Sequence, residues 1–328
     1  MSTTTLTYRE ALNQGLREEL DRDQRVILIG EDIGLFDGAF KVTKGLLADY
    51  GEARIRDTPS AESTAVGLGV GAALVGLRPV VELMTITAAL RALDQVLVSA
   101  AQTRFASGGQ LSVPLVIRTP QGSGHQLGPT HSHSLEAMLL QIPGLLIAAP
   151  STPADAKGLL KTAIRDENPV AFIEHESLYG LKGEVPDGDV LVPFGEAVVR
   201  RPGQDITLLG ISRGARTAVD AADVLEREHG VSAEVIDPRT LRPLDLPAII
   251  ASVQRTNRLV VVEEGWPQGG VGATIAALVQ EHAFDHLDAP VLRVTGADAP
   301  VGYSRVLERA AQADARAVAA AALKTLGR

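Results

Sequence analysis

Apolar strand-like segments alternate with helix-like segments along nearly the whole chain, and this alternation limits the possible folds more than any other feature. Short apolar runs predict strands at Arg25–Gly30, Pro79–Leu83, Pro114–Arg118, Leu145–Ala149, Val170–Glu174, Asp205–Gly210, Ala233–Ile236 and Leu259–Glu263. Helices are predicted at Thr7–Leu20, Val42–Tyr50, Ala88–Thr103, Pro153–Arg165, Ala215–Glu228, Leu246–Gln254, Val271–His282 and Ala310–Leu323, with a further helix that starts at Glu62. Strands and helices in this order indicate βαβ units, in which the strands of a sheet run parallel.

A change in composition divides this pattern in two. Glycine and proline are frequent between Tyr179 and Arg201, and little helical period is visible there, so this segment is predicted to connect two domains. A chain of 328 residues is also long enough for about two ordinary domains. We therefore predict an α/β protein with two three-layer, parallel-sheet domains at residues 1–190 and 191–328.

Composition and charge exclude several classes of function. A net charge of -9 argues against nucleic acid or an anionic membrane as the main partner. The absence of cysteine rules out disulfides, iron–sulfur clusters and thiolate zinc sites, and it favours an intracellular protein. The residues from Met1 to Thr7 do not resemble a secretory signal, and no apolar run has the length and flanks of a membrane span. We therefore expect a cytoplasmic localisation.

A single acid, Glu62, stands at the start of a helix built of small and apolar residues. No other charged residue occurs before Arg78, and Gly67 and Gly71 leave one side bare enough for another backbone to approach. A helix that is apolar on every side is predicted to be buried. Glu62 is then either a first-turn acid stabilised by the helix dipole or a buried carboxyl that shares a proton with a cofactor near neutral pH.

Three of the seven histidines of the chain, His125, His131 and His133, fall in the loop after the predicted strand Pro114–Arg118. Ligands of open α/β sheets bind at the carboxyl ends of strands, where this loop begins. The histidine spacing supports a zinc site only weakly. Surface histidines, and a histidine that exchanges protons with a bound substrate near pH 7, stay open as alternatives.

Sequence motifs that bind phosphate are largely missing. The chain has no Walker loop, no dinucleotide fingerprint in a strand–helix turn and no serine nucleophile elbow. The segment Gly265–Gly272 follows a strand and opens a helix, so its amides could hold a phosphate. Its glycine spacing differs from the dinucleotide pattern, and a tight turn onto a packed helix is the favoured interpretation.

Nine short motifs stand in order along the chain. They are Gly30-Glu-Asp, Asp37-Gly-Ala-Phe-Lys-Val-Thr-Lys-Gly-Leu, Arg56-Asp-Thr-Pro-Ser-Ala-Glu, Gly76-Leu-Arg-Pro, Leu93-Asp-Gln-Val, Thr130-His-Ser-His, Ala156-Lys-Gly-Leu-Leu, Glu263-Glu-Gly-Trp-Pro and Val294-Thr-Gly-Ala-Asp. Together they resemble the β subunit of thiamine-diphosphate-dependent 2-oxo acid dehydrogenases. The pyruvate type is the most similar, and the acetoin and branched-chain types follow.

This resemblance implies a fold, a cofactor and partners. The fold would be a pyrimidine-binding domain followed by a transketolase C-terminal-like domain. The cofactor would be thiamine diphosphate with Mg²⁺, held mainly by an acidic, glycine-rich motif of an α subunit, because this chain lacks that motif. Two α and two β chains would decarboxylate pyruvate or a related 2-oxo acid and reductively acylate lipoyl-lysine of an acyltransferase component.

The resemblance also assigns individual residues. Glu62 matches the catalytic acid that hydrogen-bonds the aminopyrimidine ring, and His131 matches a loop histidine that assists acyl transfer to the lipoyl arm. Glu31 and Asp94 match acids near the cofactor, although a structural ion pair is an equal alternative for both. A monovalent-cation site, with K⁺ as the candidate ion, is implied at Leu115, Ala163, Ile164, Asp166 and Asn168.

Some positions differ from the pattern of the family. Ala88 stands where relatives often carry an aromatic residue near the cofactor, Ser63 and Thr64 replace bulkier residues, and Pro129-Thr130 precedes His131 where small residues are usual. These differences affect the expected substrate pocket more than the expected cofactor. Two further interpretations remain at this point: a fragment of a transketolase or deoxyxylulose-phosphate synthase, and a non-catalytic assembly subunit.

Overall fold

The computed structural model describes residues 2–328, which form two compact units. The first unit contains the chain up to Gln121 and Met138–Phe194, and the second contains Gly122–Ala137 and Gly195–Arg328. The loop that carries the three histidines therefore belongs to the second unit, although it leaves a strand of the first. The domain limits 1–190 and 191–328 stay a prediction.

The first unit is built on parallel strands with helices between them. Its strands are β1 (Thr3–Thr7), β2 (Val26–Gly30), β3 (Ile55–Asp57), β4 (Arg78–Glu82), β5 (Val116–Gln121), β6 (Leu146–Ala148), β7 (Val170–His175) and β8 (Lys182–Pro186). Its α-helices are α1 (Tyr8–Arg22), α2 (Leu46–Tyr50), α3 (Glu62–Leu74), α4 (Ile86–Ala89), α5 (Thr103–Ala106) and α7 (Pro153–Arg165), while α6 (Glu136–Leu140) begins in the second unit's loop segment.

Six strands of this unit form one parallel sheet in the order β6-β7-β5-β4-β2-β3. Their carboxyl ends therefore lie along a single edge, which we call the carboxyl edge. Helices α1 and α7 bury Leu12, Leu16, Leu159 and Leu160 in the core of this unit. The predicted capping box at the start of α1 is confirmed, because Thr7 and Glu10 bond reciprocally.

The segment Ala88–Thr103 is helical as predicted, but it is not one regular α-helix. The segment contains α4, a short 3₁₀ turn at Leu90–Ala92, a π-helix at Gln95–Ala101 and then α5. The buried side chains Ala92, Val96 and Ala100 recur every fourth residue. Residues four apart lie on the same side of a helix, so these three side chains face the core together.

Helix α3 is buried on one side only, so the prediction that it is buried all round is wrong for this chain by itself. Gly69 packs on the sheet, whereas the opposite side is exposed and Val75 there is 80% accessible. The exposed side consists of Ser63, Thr64, Leu68, Gly71, Leu74 and Val75, with Gly67 partly exposed beside them. We call these residues the open face of α3.

The second unit contains a five-stranded sheet in the order β14-β13-β10-β11-β9. The strands of this unit are β9 (Val198–Arg201), β10 (Ile206–Gly210), β11 (Ala233–Asp237), β12 (Thr240–Arg242), β13 (Leu259–Val262) and β14 (Leu292–Val294), and β12 lies outside this sheet. Its helices are α8 (Arg213–His229), α9 (Leu246–Thr256), α10 (Val271–Ala283), α11 (Arg305–Ala310) and α12 (Ala315–Thr325). Only β9 runs antiparallel to its neighbour in this sheet.

The segment Tyr179–Arg201 is more ordered than the predicted connection, since it contains β8 and β9. Strand β8 pairs antiparallel with β1 at the start of the chain.

Across the described residues, no helix combines the length and the apolar character that a membrane span requires.

The two glycines on opposite sides of α3 predict opposite effects on stability. A Cβ at Gly69 would lie 2.7 Å from Val81 Cγ2 and 2.9 Å from Leu115 Cδ1, whereas one at Gly71 would meet nothing within 4 Å. Gly69→Ala should lower the free energy of unfolding by about 1–3 kcal/mol through overpacking. Gly71→Ala should raise it by about 0.5–1 kcal/mol through helix propensity. Urea unfolding of the purified chain, followed by circular dichroism, would contradict this if both variants shifted in the same direction.

Candidate active site

A buried ionic group lies at the carboxyl edge of the first unit. The guanidinium of Arg118 on β5 donates to Glu82 on β4 and to Glu174 on β7, and Nη2 reaches Glu174 Oε2 at 2.8 Å. Tyr179 also donates to this Glu174 oxygen at 2.6 Å. Burial by itself would lower the pKa of Arg118, but the charges of Glu174 and Glu82 raise it above its ordinary value. The group joins three neighbouring strands, and its two acids lie at or next to the carboxyl ends of β4 and β7.

Glu62 is the first residue of α3 and comes shortly after β3 ends at the carboxyl edge. Its side chain is 13% exposed, and Oε1 accepts from Nη1 of the exposed Arg91 at 2.8 Å. The preceding Ala61 offers no side-chain cap to the helix. A first-turn acid that only balances the helix dipole does not need to be buried. The burial of Glu62 therefore favours a carboxyl that binds a further group beside Arg91 over a purely local role.

The other residues matched to the cofactor also lie in the first unit. Glu31 follows β2 directly at the carboxyl edge and is half-buried. Ala88 is buried in the short helix α4, whose cap residue Thr85 accepts from the amide of Thr87 at 3.3 Å. Asp94 is exposed, and the side chain of Gln95 donates to it at 3.3 Å. Their assignment to a cofactor stays a prediction.

The loop segment Gly122–Ala137, which we call the histidine loop, belongs to the second unit. Its backbone closes on itself by a hydrogen bond. The amide of Gly122 donates to the carbonyl of His133 at 2.7 Å, so the loop returns to its starting point. His131 is exposed, and its Nδ1 lies 2.8 Å from the hydroxyl of Thr130. Among residues 2–328, no group of three or more His, Asp or Glu side chains is arranged to hold a metal ion.

His133 differs from its neighbours because it is half-buried against an aromatic ring. Its imidazole meets the ring of Trp266 edge to face, with 5.4 Å between the ring centroids. Burial lowers the pKa of His133, and the nearby His131 lowers it further. Within this loop, His131 and His133 therefore have different surroundings: one ring is accessible and one is packed.

The glycine-rich segment Gly265–Gly272 is a tight turn onto α10, as the favoured interpretation predicted. Glu263 lies beneath it, and its carboxylate accepts from the amide of Gly272 at 3.0 Å. A Cβ at Gly270 or Gly272 would come within 2.7 or 2.5 Å of the same carboxylate. The amide of Gly272, which a bound phosphate would need, is therefore already hydrogen-bonded to Glu263. Burial raises the pKa of Glu263.

Four residues of the implied cation site lie at or just after the end of α7, and the fifth, Leu115, directly precedes β5. They are Leu115, Ala163, Ile164, Asp166 and Asn168. The carbonyl oxygens of Ile164 and Asp166 each accept from Nη1 of Arg78 at 3.0 Å, and the Asp166 carboxylate accepts from the Asn168 side chain at 2.8 Å. Each carbonyl keeps a second lone pair. The guanidinium lowers the electrostatic gain from a cation here, and the cation site stays a prediction.

Two family models match the chain. One, described as "Transketolase, pyrimidine binding domain", matches residues 4–182, and the other, described as "Transketolase, C-terminal domain", matches residues 195–318. Together they confirm the predicted fold class and the order of its two folds. Other proteins contain the same two domains, and comparison with individual relatives shows to which of their families this chain belongs.

Curated relatives match over almost the full length of the chain. The "Pyruvate dehydrogenase E1 component subunit beta, mitochondrial" of Dictyostelium discoideum is 46% identical over 331 residues, which cover 100% of this chain and 93% of the relative. The subunit of the same description from Rattus norvegicus is 48% identical over 308 residues, which cover 92% and 86%. The chain belongs to the family of pyruvate dehydrogenase E1 component β subunits. The family and enzyme class that the motifs predicted are thereby confirmed.

A solved structure shares the fold of this E1 β-family chain at lower sequence identity. It is described as "Split gene transketolase, inactive beta4 tetramer", and it superposes with a TM-score of 0.80 over 98% of both chains at 24% identity. At this identity the comparison supports the fold alone.

Sequence reasoning about this E1 β-family chain missed the polar partners of its candidate residues. Arg91 is 29 positions from Glu62, and no local pattern joins the two. Sequence reasoning likewise did not predict that Glu264 and Glu308 accept hydrogen bonds from the histidine loop, because both are more than 100 residues from it in the chain. By contrast, the burial of Arg118 could have been suspected from a charged residue inside an otherwise apolar strand.

His133 predicts a loss of stability in acid. Its pKa in the folded chain is lowered, so the unfolded chain binds the proton more readily, and the stabilising contribution is lost as pH falls through about 6.5 and below. His133→Gln should therefore flatten the decline of unfolding free energy between about pH 7 and pH 5. His286→Gln, which removes an exposed histidine, serves as the control. Equal pH slopes for His133→Gln and the unmodified chain would contradict the prediction.

Proposed function

We propose that two copies of this chain and two α subunits decarboxylate pyruvate on thiamine diphosphate and pass the acyl group to lipoyl-lysine of an acyltransferase component. Family membership supports the reaction type. The observation that carries the chemistry is the largely buried carboxylate of Glu62, which begins α3 beside the carboxyl edge and has Arg91 as its ionic partner. Acetoin and branched-chain 2-oxo acids remain the alternative substrates, and a substrate panel separates them from pyruvate.

The residues present fit an aminopyrimidine ring. Glu62 Oε1 is engaged by Arg91, which leaves Oε2 as the oxygen available to a ring nitrogen. When bound, thiamine diphosphate supplies the carbon that attacks the keto group and the electron sink for loss of carbon dioxide. Glu62 holds a proton at the ring nitrogen, while the buried Ala88 and the half-buried Glu31 line the same edge of the sheet. Mg²⁺ and the diphosphate are assigned mainly to the α subunit.

The open face of α3 fits a second chain. Small residues at Gly67 and Gly71 allow a backbone to approach closely, and the exposed Leu68, Leu74 and Val75 add apolar area around them. An interface on this face would cover the first turn of α3, where Glu62 lies. A partner chain would then supply the other side of the site around Glu62. It would also supply the diphosphate-binding motif, which this sequence lacks.

The exposed ring of His131 supports a role in transfer rather than in decarboxylation. A lipoyl group arrives on the end of a long arm from another protein, so a histidine that assists it has to be reachable. The carbonyls near Ile164 and Asp166 remain the proposed K⁺ site. A cytoplasmic localisation also remains a proposal.

Glu62→Gln should abolish most of the activity of the reconstituted α–β enzyme. The amide cannot exchange the proton, and loss of a general acid–base group typically costs at least about 100-fold in rate. The assay follows reduction of an artificial acceptor with pyruvate and with a panel of other 2-oxo acids. Glu52→Gln, which changes an exposed acid, is the matched control. Full activity in Glu62→Gln would instead support a non-catalytic assembly subunit.

The chain without its α partner should bind thiamine diphosphate poorly, because the sequence has no motif for the diphosphate and Mg²⁺. Titration calorimetry of the purified chain, with Mg²⁺ present, is expected to give no binding in the micromolar range. The same titration of the α–β complex should show binding. Micromolar affinity for the isolated chain would contradict the assignment of the diphosphate clamp to the α subunit.

A further inference from the structure

Helix α11 in the second unit buries an acid and exposes its apolar side chains. Val306 and Leu307 are 75% and 61% accessible, whereas Glu308 is 2% accessible. This is the reverse of an ordinary surface helix, in which the apolar side faces the core. A buried carboxylate is costly unless hydrogen bonds compensate for the lost water. The partners of Glu308 therefore explain why this helix has its orientation.

Those partners are two backbone amides of the histidine loop. Glu308 Oε1 accepts from the amides of Gly124 and Gln126, each at 2.9 Å. Gln126 has a positive φ of 58°, a conformation that is uncommon and costly for a non-glycine residue. Hydrogen bonds to an ionised acceptor are stronger than neutral ones. Glu308 thus holds the loop in a shape that the loop would not prefer by itself.

A second acid, Glu264, accepts hydrogen bonds from Ser123 of the same loop, the residue before Gly124. Glu264 Oε1 accepts from the amide and the hydroxyl of Ser123 at 2.7 and 2.6 Å, and its Oε2 pairs with Arg213 at 3.1 Å. Gln312 donates to the same serine hydroxyl at 2.6 Å. Both acids lie outside the loop and act on its backbone.

The loop is also fixed near its histidine. The ring of Tyr303 lies against Gly128, where a Cβ would be only 2.1 Å from the ring and where φ is +73°. Three residues later comes His131, whose amide donates to the Gly128 carbonyl at 3.4 Å. The exposed imidazole has little packing of its own, so its position depends on how this backbone is held.

We propose that Glu308 is a positioning residue for His131. By binding two loop amides through one oxygen, it fixes the backbone that carries the histidine to the acyl-transfer step. This inference rests on the transfer role proposed above for His131. Misplacing a reacting group by about 1 Å costs on the order of 100-fold in rate, so a modest shift of the loop would be measurable.

The test compares two rates in the reconstituted α–β enzyme: acylation of a free lipoyl domain by pyruvate, and reduction of an artificial acceptor. Glu308→Ala should lower the ratio of the first rate to the second by at least about 10-fold. Glu308→Gln should restore most of that ratio, because its Oε1 can still accept both amides. Arg309→Ala alters an exposed neighbour on the same helix and should change neither rate.

A double variant with His131→Ala decides whether Glu308 acts through the histidine. If it does, Glu308→Ala combined with His131→Ala should acylate the lipoyl domain no more slowly than His131→Ala alone. Additive losses, equal losses of both rates in Glu308→Ala, or failure of Glu308→Gln to restore the ratio would overturn the inference. Assembly of each variant is checked by size-exclusion chromatography.

The single variants also separate this inference from the proposed function. If His131→Ala acylates lipoyl domains normally, the transfer role of His131 is wrong and the positioning inference fails with it. If His131→Ala is impaired and Glu308→Ala is not, only the positioning inference fails. Hydrogen exchange gives an independent readout, since the amides of Gly124 and Gln126 should exchange faster in Glu308→Ala than in Glu308→Gln.

Discussion

The buried guanidinium of Arg118 is the interaction on which the carboxyl edge of the first unit depends. It is bonded to Glu82 and Glu174, so one ionic group links three adjacent strands of the sheet. Removing one member of such a group typically costs about 3–5 kcal/mol, because a charge is left buried without its partner. The loops that leave these strands include the segment with Ala88 and the histidine loop. Both segments therefore follow strands that this ionic group links.

Local signals in the sequence were sufficient for much of the fold. Helix α7 begins and ends at the predicted residues, Pro153 and Arg165, because Thr152 caps it and proline stands in its first turn. The predicted strands of both sheets were found within a few residues of their limits, because a short apolar run bounded by loop residues is itself a strand signal. Strands β1 and β8 were missed because they are polar and are stabilised by pairing with each other across the length of the first unit.

The candidate site was predictable only in part. Single residues such as Glu62 and His131 stand in recognisable motifs, and the structure shows one largely buried beside a helix terminus and the other exposed on a loop. What the sequence does not contain is the set of long-range partners. Arg91, Glu264 and Glu308 each act on a residue far away in the chain, and no periodicity links them to it. The π-helix at Gln95–Ala101 was not predicted either, because the apolar pattern of this segment is the same as that of an ordinary α-helix.

The open face of α3 has a consequence for how the chain is made. An apolar seam with glycines at its centre is well suited to a neighbouring helix and poorly suited to water. A copy synthesised without a partner would keep the open face of α3 uncovered. Self-association through this face would leave that copy unable to join a partner. If the proposed α subunit covers this face, the amount of assembled enzyme would follow the scarcer of the two subunits.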